Sequence, residues 1–132
     1  MPDRVPSQRA ARGRAAHARG MRAEDAAIAA LEAEGWVLRA RRRRTAAGEI
    51  DLVAERRGLL AVVEVKARRC LADAAVALGP RQRARLLGAA EILLAENPDW
   101  GRAGVRFDLI VVDAAGRVRR ITDAFRREET GA

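Results

Sequence analysis

Residues 48–68, GEIDLVAERRGLLAVVEVKAR, hold the pattern that most restricts how the chain can fold. Two runs rich in β-branched residues, 50–54 and 60–66, flank Glu55-Arg56-Arg57-Gly58, a polar link whose glycine accepts the positive φ of a tight turn. The pattern predicts a β-hairpin with Arg57 and Gly58 as its turn residues. Pairing outward from that turn sets Asp51 opposite Glu64. Side chains alternate along a strand, so Leu60, Val62, Glu64 and Lys66 share one face while Ala61, Val63 and Val65 share the other. Asp51 then points the same way as Glu64 and Lys66.

Like charges directly opposed in a sheet destabilise it by roughly 0.2–1 kcal/mol, and by more when buried. A hard divalent cation removes that repulsion and prefers oxygen ligands, so Asp51 and Glu64 read as ligands for Mg²⁺ or Mn²⁺, with the Val65 carbonyl as a third oxygen. Lys66 falls within reach of an attacking water or a phosphate oxygen. The plainer reading of the same residues is a Glu-Lys pair on a half-exposed sheet face. Composition sharpens the choice: of 26 basic residues, Lys66 is the only lysine. Arginine stays charged and cannot shuttle a proton, whereas an ammonium is a compact charge that responds to burial.

Asp51, twelve intervening residues and then Glu64-Val65-Lys66 resemble the PD-(D/E)XK signature of restriction-endonuclease-like enzymes and archaeal Holliday junction resolvases. The wider layout of Glu24, Gly48-Glu49-Ile50-Asp51, Glu64-Val65-Lys66-Ala67-Arg68 and Arg106-Phe107-Asp108 is similar to the YraN-like family of small bacterial proteins. The likeness covers residues 14–125, with Ile50 where the superfamily carries proline. It implies an α/β fold, a restriction-endonuclease-like three-layer αβα sandwich around a mixed sheet of about five strands. It also implies metal-dependent hydrolysis of phosphodiester bonds, with Asp51, Glu64, Lys66 and Glu24 as the catalytic set and Asp51, Glu64 and Val65 as the Mg²⁺ (or Mn²⁺) ligands. Two other readings stand beside it: a nucleic-acid-binding accessory with a nuclease-like fold and little or no turnover, and a small interaction protein whose Glu64-Lys66 is a salt bridge.

A net charge of +8 and a pI near 11.4 favour a polyanionic partner, nucleic acid before anionic membrane, and the resemblance implies DNA ahead of RNA. With no Tyr, two Trp and two Phe there is little material for a base-stacking platform, so contacts rest on phosphates. The single His17 and single Cys70 exclude zinc sites built on His/Cys clusters, a core Ser-His-Asp triad and an internal disulfide, and they suit a reducing cytoplasm. No apolar run approaches membrane-spanning length. A chain of 132 residues suits one domain, as a monomer or a homodimer.

In chain order, residues 1–19 read as a flexible basic arm, 20–127 as the single nuclease-like domain and 128–132 as a frayed end. Residues 20–34 form a helix stopped by Gly35, with Glu24 on the face that carries Ile28 and Leu31. Glu24 is either an inward metal or water ligand or a first-turn acid favoured by the helix dipole. Residues 36–42 form an edge strand. Arg41, Arg42, Arg43 and Arg44 then lead into a loop ending at Gly48, and these five, with Arg68, are candidate backbone contacts. A charge run is also ordinary solvated surface, and Gly48 is also a turn residue. Gly79-Pro80 opens a helix running to Glu96, whose Gln82 resembles the auxiliary glutamine of some nucleases of this fold. Residues 105–112 and 118–121 form two further strands, and 123–127 a terminal turn or short helix. Asp108 is assigned a structural role.

Overall fold

The computed structural model describes residues 8–71 and 78–125, in which helix α1 (Gln8–Ala33) precedes strands β1 (Val37–Thr45), β2 (Gly48–Arg56) and β3 (Leu59–Ala67). Helix α2 (Pro80–Glu96) and strands β4 (Gly104–Val112) and β5 (Val118–Phe125) follow. The strands lie in sequence order in one five-stranded sheet, antiparallel throughout except for β3 beside β4, which run parallel. A parallel pair cannot be closed by a tight turn and needs a long crossover, which α2 supplies. The expected α/β architecture, a mixed five-stranded sheet with a helix on each side, is borne out.

The hairpin forms at the expected place. Arg57 and Gly58 both take positive φ, 52° and 79°, the conformation of a two-residue turn whose twist matches its strands. The ladder then runs from Arg56↔Leu59 to Leu52↔Val63 in the expected register. On β3 the alternation holds: Leu60 and Val62 pack under α2 with Leu86, Ala89 and Leu93, while Ala61 and Val63 pack under α1 with Ala23, Ala27 and Leu31. On β2 it breaks. Ile50 belongs to the α2-side core and Leu52 to the α1-side core, although two residues should share a face. Between them lies Asp51, opposite Arg42, whose φ of 51° turns the neighbouring strand sharply at that level.

Three expectations about boundaries are corrected. Helix α1 begins at Gln8, so residues 8–19 are helical where a flexible arm, helical at most near its end, was expected; alanine and arginine, the bulk of that stretch, are strong helix formers. Strand β1 runs on to Thr45, because pairing of Arg43, Arg44 and Thr45 with Ile50, Glu49 and Gly48 draws the arginine run into the sheet. Strand β5 continues to Phe125, taking in residues read as a terminal turn or helix. Phe125 is buried opposite Phe107 with ring centroids 4.7 Å apart, and burial of two aromatic rings outweighs local turn preference. Residues 1–7 and 126–132, which include the ends read as flexible or frayed, lie outside the described residues.

Both outer strands are irregular. Register shifts occur between Leu38 and Ala40 on β1, and opposite Phe107 and Leu109 on β5, where Asp123 has a φ of 54°. Asp108 is structural, as expected, and fully buried. Arg106 donates to it at 2.8 and 2.9 Å, Arg120 at 3.1 Å and the Asp123 backbone N–H at 2.9 Å. Arg56, Arg106 and Arg120 also surround the ring of buried Trp36, 4.8, 5.5 and 4.9 Å from its centroid.

Candidate functional site

Strands β2 and β3 part company beyond Leu52↔Val63, and Asp51 sits in the fork. Its Oδ2 accepts the Val65 backbone N–H at 2.9 Å, so a side chain stands where the next ladder hydrogen bond would be. Glu64, one residue before Val65, is 6 % exposed and turns toward α2. Lys66 lies on the same face, its Nζ 3.4 Å from Glu64 Oε1. The structure brings Asp51, Glu64, Val65 and Lys66 together, but the expected Asp51↔Glu64 rung does not form: the ladder ends at Leu52↔Val63 and Asp51 takes the Val65 N–H instead.

The electrostatics of this group are unbalanced. Burial, then the negative charge of Glu64, pushes the Asp51 carboxyl up to about 6, against the pull of the Val65 N–H; Glu24 adds to the rise and Lys66 opposes it. Glu64 has two cationic neighbours, and both are distant. One Arg85 Nη2 is shared between its oxygens at 3.3 and 3.2 Å, and Lys66 stands at 3.4 Å, where charge-assisted N–H···O bonds are typically about 2.7–2.9 Å. The Arg85 Nε, meanwhile, is buried without a partner. Two neighbouring carboxylates with poorly fitted counter-ions form an oxygen-only donor set that suits a small hard cation. Among the described residues no three Asp, Glu, His or Cys side chains gather as a complete ligand cage, so backbone oxygen and water have to fill the rest.

Glu24 is inward-facing and buried, and its charge is felt at Asp51, but its Oε1 receives Arg41 Nε at 3.2 Å and Arg42 Nε at 2.8 Å. It sits beside the site already carrying two arginines. The arginine run divides. Arg41 also reaches Asp25 at 2.9 Å, Arg43 crosses to the α2 side and holds Glu96 at 2.6 Å, and Arg44 lies 3.6 Å from Glu49. Each of these four is paired with an acid. Arg68, half-buried at the end of β3, donates to the Ala67 carbonyl at 2.8 Å.

Two expected contacts take other roles. Gln82 turns its Oε1 back to the Gly79 N–H at 3.3 Å and closes the start of α2, as an N3 glutamine does in a capping box. Gly48 is covered by the stem of Arg85, so a phosphate does not meet its backbone. The residue on α2 that does face the acid pair is Arg85, three positions after Gln82. A one-turn register along the helix could have pointed to it, had the direction of the β3 face been known. Gly48→Ala is expected to destabilise the fold by about 1–3 kcal/mol, since its φ of 136° disfavours a side chain and a Cβ would collide with Arg85 Cγ. Chemical denaturation checks this, and wild-type stability in the variant would show that Arg85 does not rest there.

Comparisons with known proteins place the chain in company. The family model for an uncharacterised protein family, UPF0102, matches residues 23–112. The chain is 61% identical over 120 residues to a UPF0102 protein of Granulibacter bethesdensis, covering 91% of this chain and 76% of that one. It is 48% identical over 127 residues to a UPF0102 protein of Azorhizobium caulinodans, covering 96% and 95% of the two chains. With a UPF0102 protein of Acidiphilium cryptum the identity is 50% over 120 residues, covering 91% and 92%.

Proposed function

The chain belongs to the uncharacterised protein family UPF0102, the YraN-like proteins, and from that premise we propose that it is a metal-dependent nuclease hydrolysing phosphodiester bonds in nucleic acid. The observation that carries the reading is the Asp51–Glu64 pair: two adjacent, largely buried carboxylates, one raised to about 6, with a lysine on the same face. Asp51, Glu64 and the Val65 carbonyl are the residues that would hold Mg²⁺ or Mn²⁺. Bound there, the cation supplies Lewis-acid stabilisation of negative charge on the phosphoryl oxygens.

The chain's own groups do the rest. Asp51 gives up its proton when the cation site fills, which couples occupancy to pH. The Lys66 ammonium orients the attacking water and neutralises charge on a non-bridging oxygen. Water oxygen bonds to phosphorus as the bond to the leaving sugar oxygen breaks, and the proton lost by water ends on that oxygen. Glu24 holds Arg41 and Arg42 beside the acids. The resemblance to DNA-cutting nucleases of the PD-(D/E)XK type favours DNA over RNA as substrate, and the cytoplasm is the proposed location. No helix among the described residues is long and apolar enough to cross a membrane.

A nucleic-acid-binding role without turnover has one observation in its favour: Arg85 and Lys66 already sit on Glu64. Metal titration at neutral pH separates the two. Saturating Mn²⁺ at one hundred times its Kd is expected to stabilise the wild type by about 2.7 kcal/mol, with Asp51→Asn and Glu64→Gln showing no such gain. The response should fade as pH falls below about 6, where Asp51 keeps its proton. A wild type indifferent to Mg²⁺ and Mn²⁺ removes the hydrolase and leaves the binding role.

The same group sets a pH trend without metal. A raised carboxyl pKa means that the native state holds a proton the unfolded chain has released. Stability therefore falls as pH rises from about 4 through about 6, by on the order of 2–3 kcal/mol at most.

A further inference from the structure

The arginine run that stands out in the sequence is neutralised within the fold; four arginines with no acid partner among the described residues meet elsewhere. A cleft of about 940 Å³ lies between α1 and the carboxyl end of β3, closed at its far side by the turn joining β4 to β5. Arg19 and Arg22 line it from α1, Arg68 and Arg69 from the end of β3. None of these four is ion-paired with an acid among the described residues, in contrast to Arg41, Arg42, Arg43 and Arg44. The one acid on the wall, Asp113, is fully engaged by its own turn. It accepts the Ala115 and Arg117 backbone N–H groups and the Arg117 guanidinium at 2.7 Å.

The cleft opens on the α1 face of the sheet at the carboxyl end of β3, whereas Glu64 and Lys66 turn to the α2 face, so its walls adjoin the acid pair along the chain and around the end of the strand. Ala23, on the α1 wall, precedes Glu24; Ala67, on the other, follows Lys66. Arg68 lies two residues, roughly 6–7 Å, beyond Lys66 along the chain direction. The lining carries no aromatic ring on which a base could stack.

We infer that this cleft is the track for a nucleic-acid backbone: Arg19, Arg22, Arg68 and Arg69 bind successive phosphates of one strand on the α1 face, at the strand end that carries Lys66. Recognition there is electrostatic and indifferent to sequence, because guanidinium groups meet phosphate and no side chain is placed to read base edges. The track deepens the proposed nuclease reading and depends on it for the identity of the polyanion, although it requires no catalysis.

The test is binding of a labelled single-stranded oligonucleotide and its duplex, followed by fluorescence anisotropy in EDTA with the full-length chain. Replacing all four cleft arginines by glutamine is expected to weaken binding at least about tenfold and to flatten the log K against log salt slope by about 3 for single strands, from four lost phosphate contacts. Arg57→Gln with Arg102→Gln, two exposed arginines at the opposite end of the β3–β4 pair, should change affinity less than about twofold. Arg22→Glu alone, at an exposed position, serves as a second probe should the fourfold variant melt early.

Unaltered affinity and salt slope in the cleft variants overturn the track, as does a wild type that binds phosphatidylserine vesicles but no oligonucleotide. Cleft-dependent binding in a protein that never cleaves sinks only the hydrolase. Metal-dependent cleavage that survives loss of all four arginines sinks only the track.

Discussion

Lys66→Arg is expected to lower metal-dependent cleavage by at least about 10²-fold while divalent-cation binding persists, the scale of a lost proton-transfer or charge-stabilising group. The substitution keeps the positive charge, so Glu64 retains a cationic neighbour and the hairpin its packing. What changes is shape. A planar guanidinium spreads its charge over a larger group and places its donors differently from the ammonium that stands 3.4 Å from Glu64 Oε1. Cleavage of labelled linear, flapped and four-way-junction DNA with Mg²⁺ measures it. Undiminished cleavage by the variant would trace the activity to a contaminating nuclease and remove Lys66 from the mechanism.

The largest effect on stability is expected at Asp108, whose side chain is 0% exposed and receives Arg106, Arg120 and the Asp123 N–H. Asp108→Ala leaves the Arg106 guanidinium facing Trp36 without its anion and Arg120 with only Glu34, a loss that typically costs about 3–5 kcal/mol, roughly a third or more of a small domain's stability. The melting temperature should fall by about 10–20 °C. Replacing Arg106 and Arg120 by methionine in the same variant should restore part of that loss, because an apolar cluster of similar volume does not demand a counter-charge. A single Asp108→Ala variant within about 1 kcal/mol of wild type in urea denaturation would mean the buried network contributes little.

The hairpin and the gathering of its acids were legible because three independent signals agree there. The turn glycine, the β-branched alternation and the carboxylate spacing all demand one register, and the fold adopts it through Leu52↔Val63. Helix α2 was legible for a similar reason, with Pro80 at its start and Asn97 at its stop. The end of strand β5 was not, because Asp123-Ala124-Phe125 carries no local strand signal and joins the sheet only through burial of Phe125 against Phe107. Arginine partners were the least legible feature. Which of 25 chemically identical side chains finds an acid depends on residues far apart in sequence, such as Arg43 and Glu96 or Arg120 and Glu34. The eye is drawn to consecutive charges, whereas Arg19 and Arg22 meet Arg68 and Arg69 only in three dimensions.

The irregular margins of the sheet carry a consequence for how copies of the chain behave toward one another. An outermost strand with a straight row of free amides and carbonyls invites a second molecule to dock its own margin alongside, the first step toward fibrils. Here the Arg42 backbone on one side and the Asp123 backbone on the other pull those groups out of line, and charged side chains crowd both rims. Growth of the sheet from molecule to molecule is thereby blocked at each end.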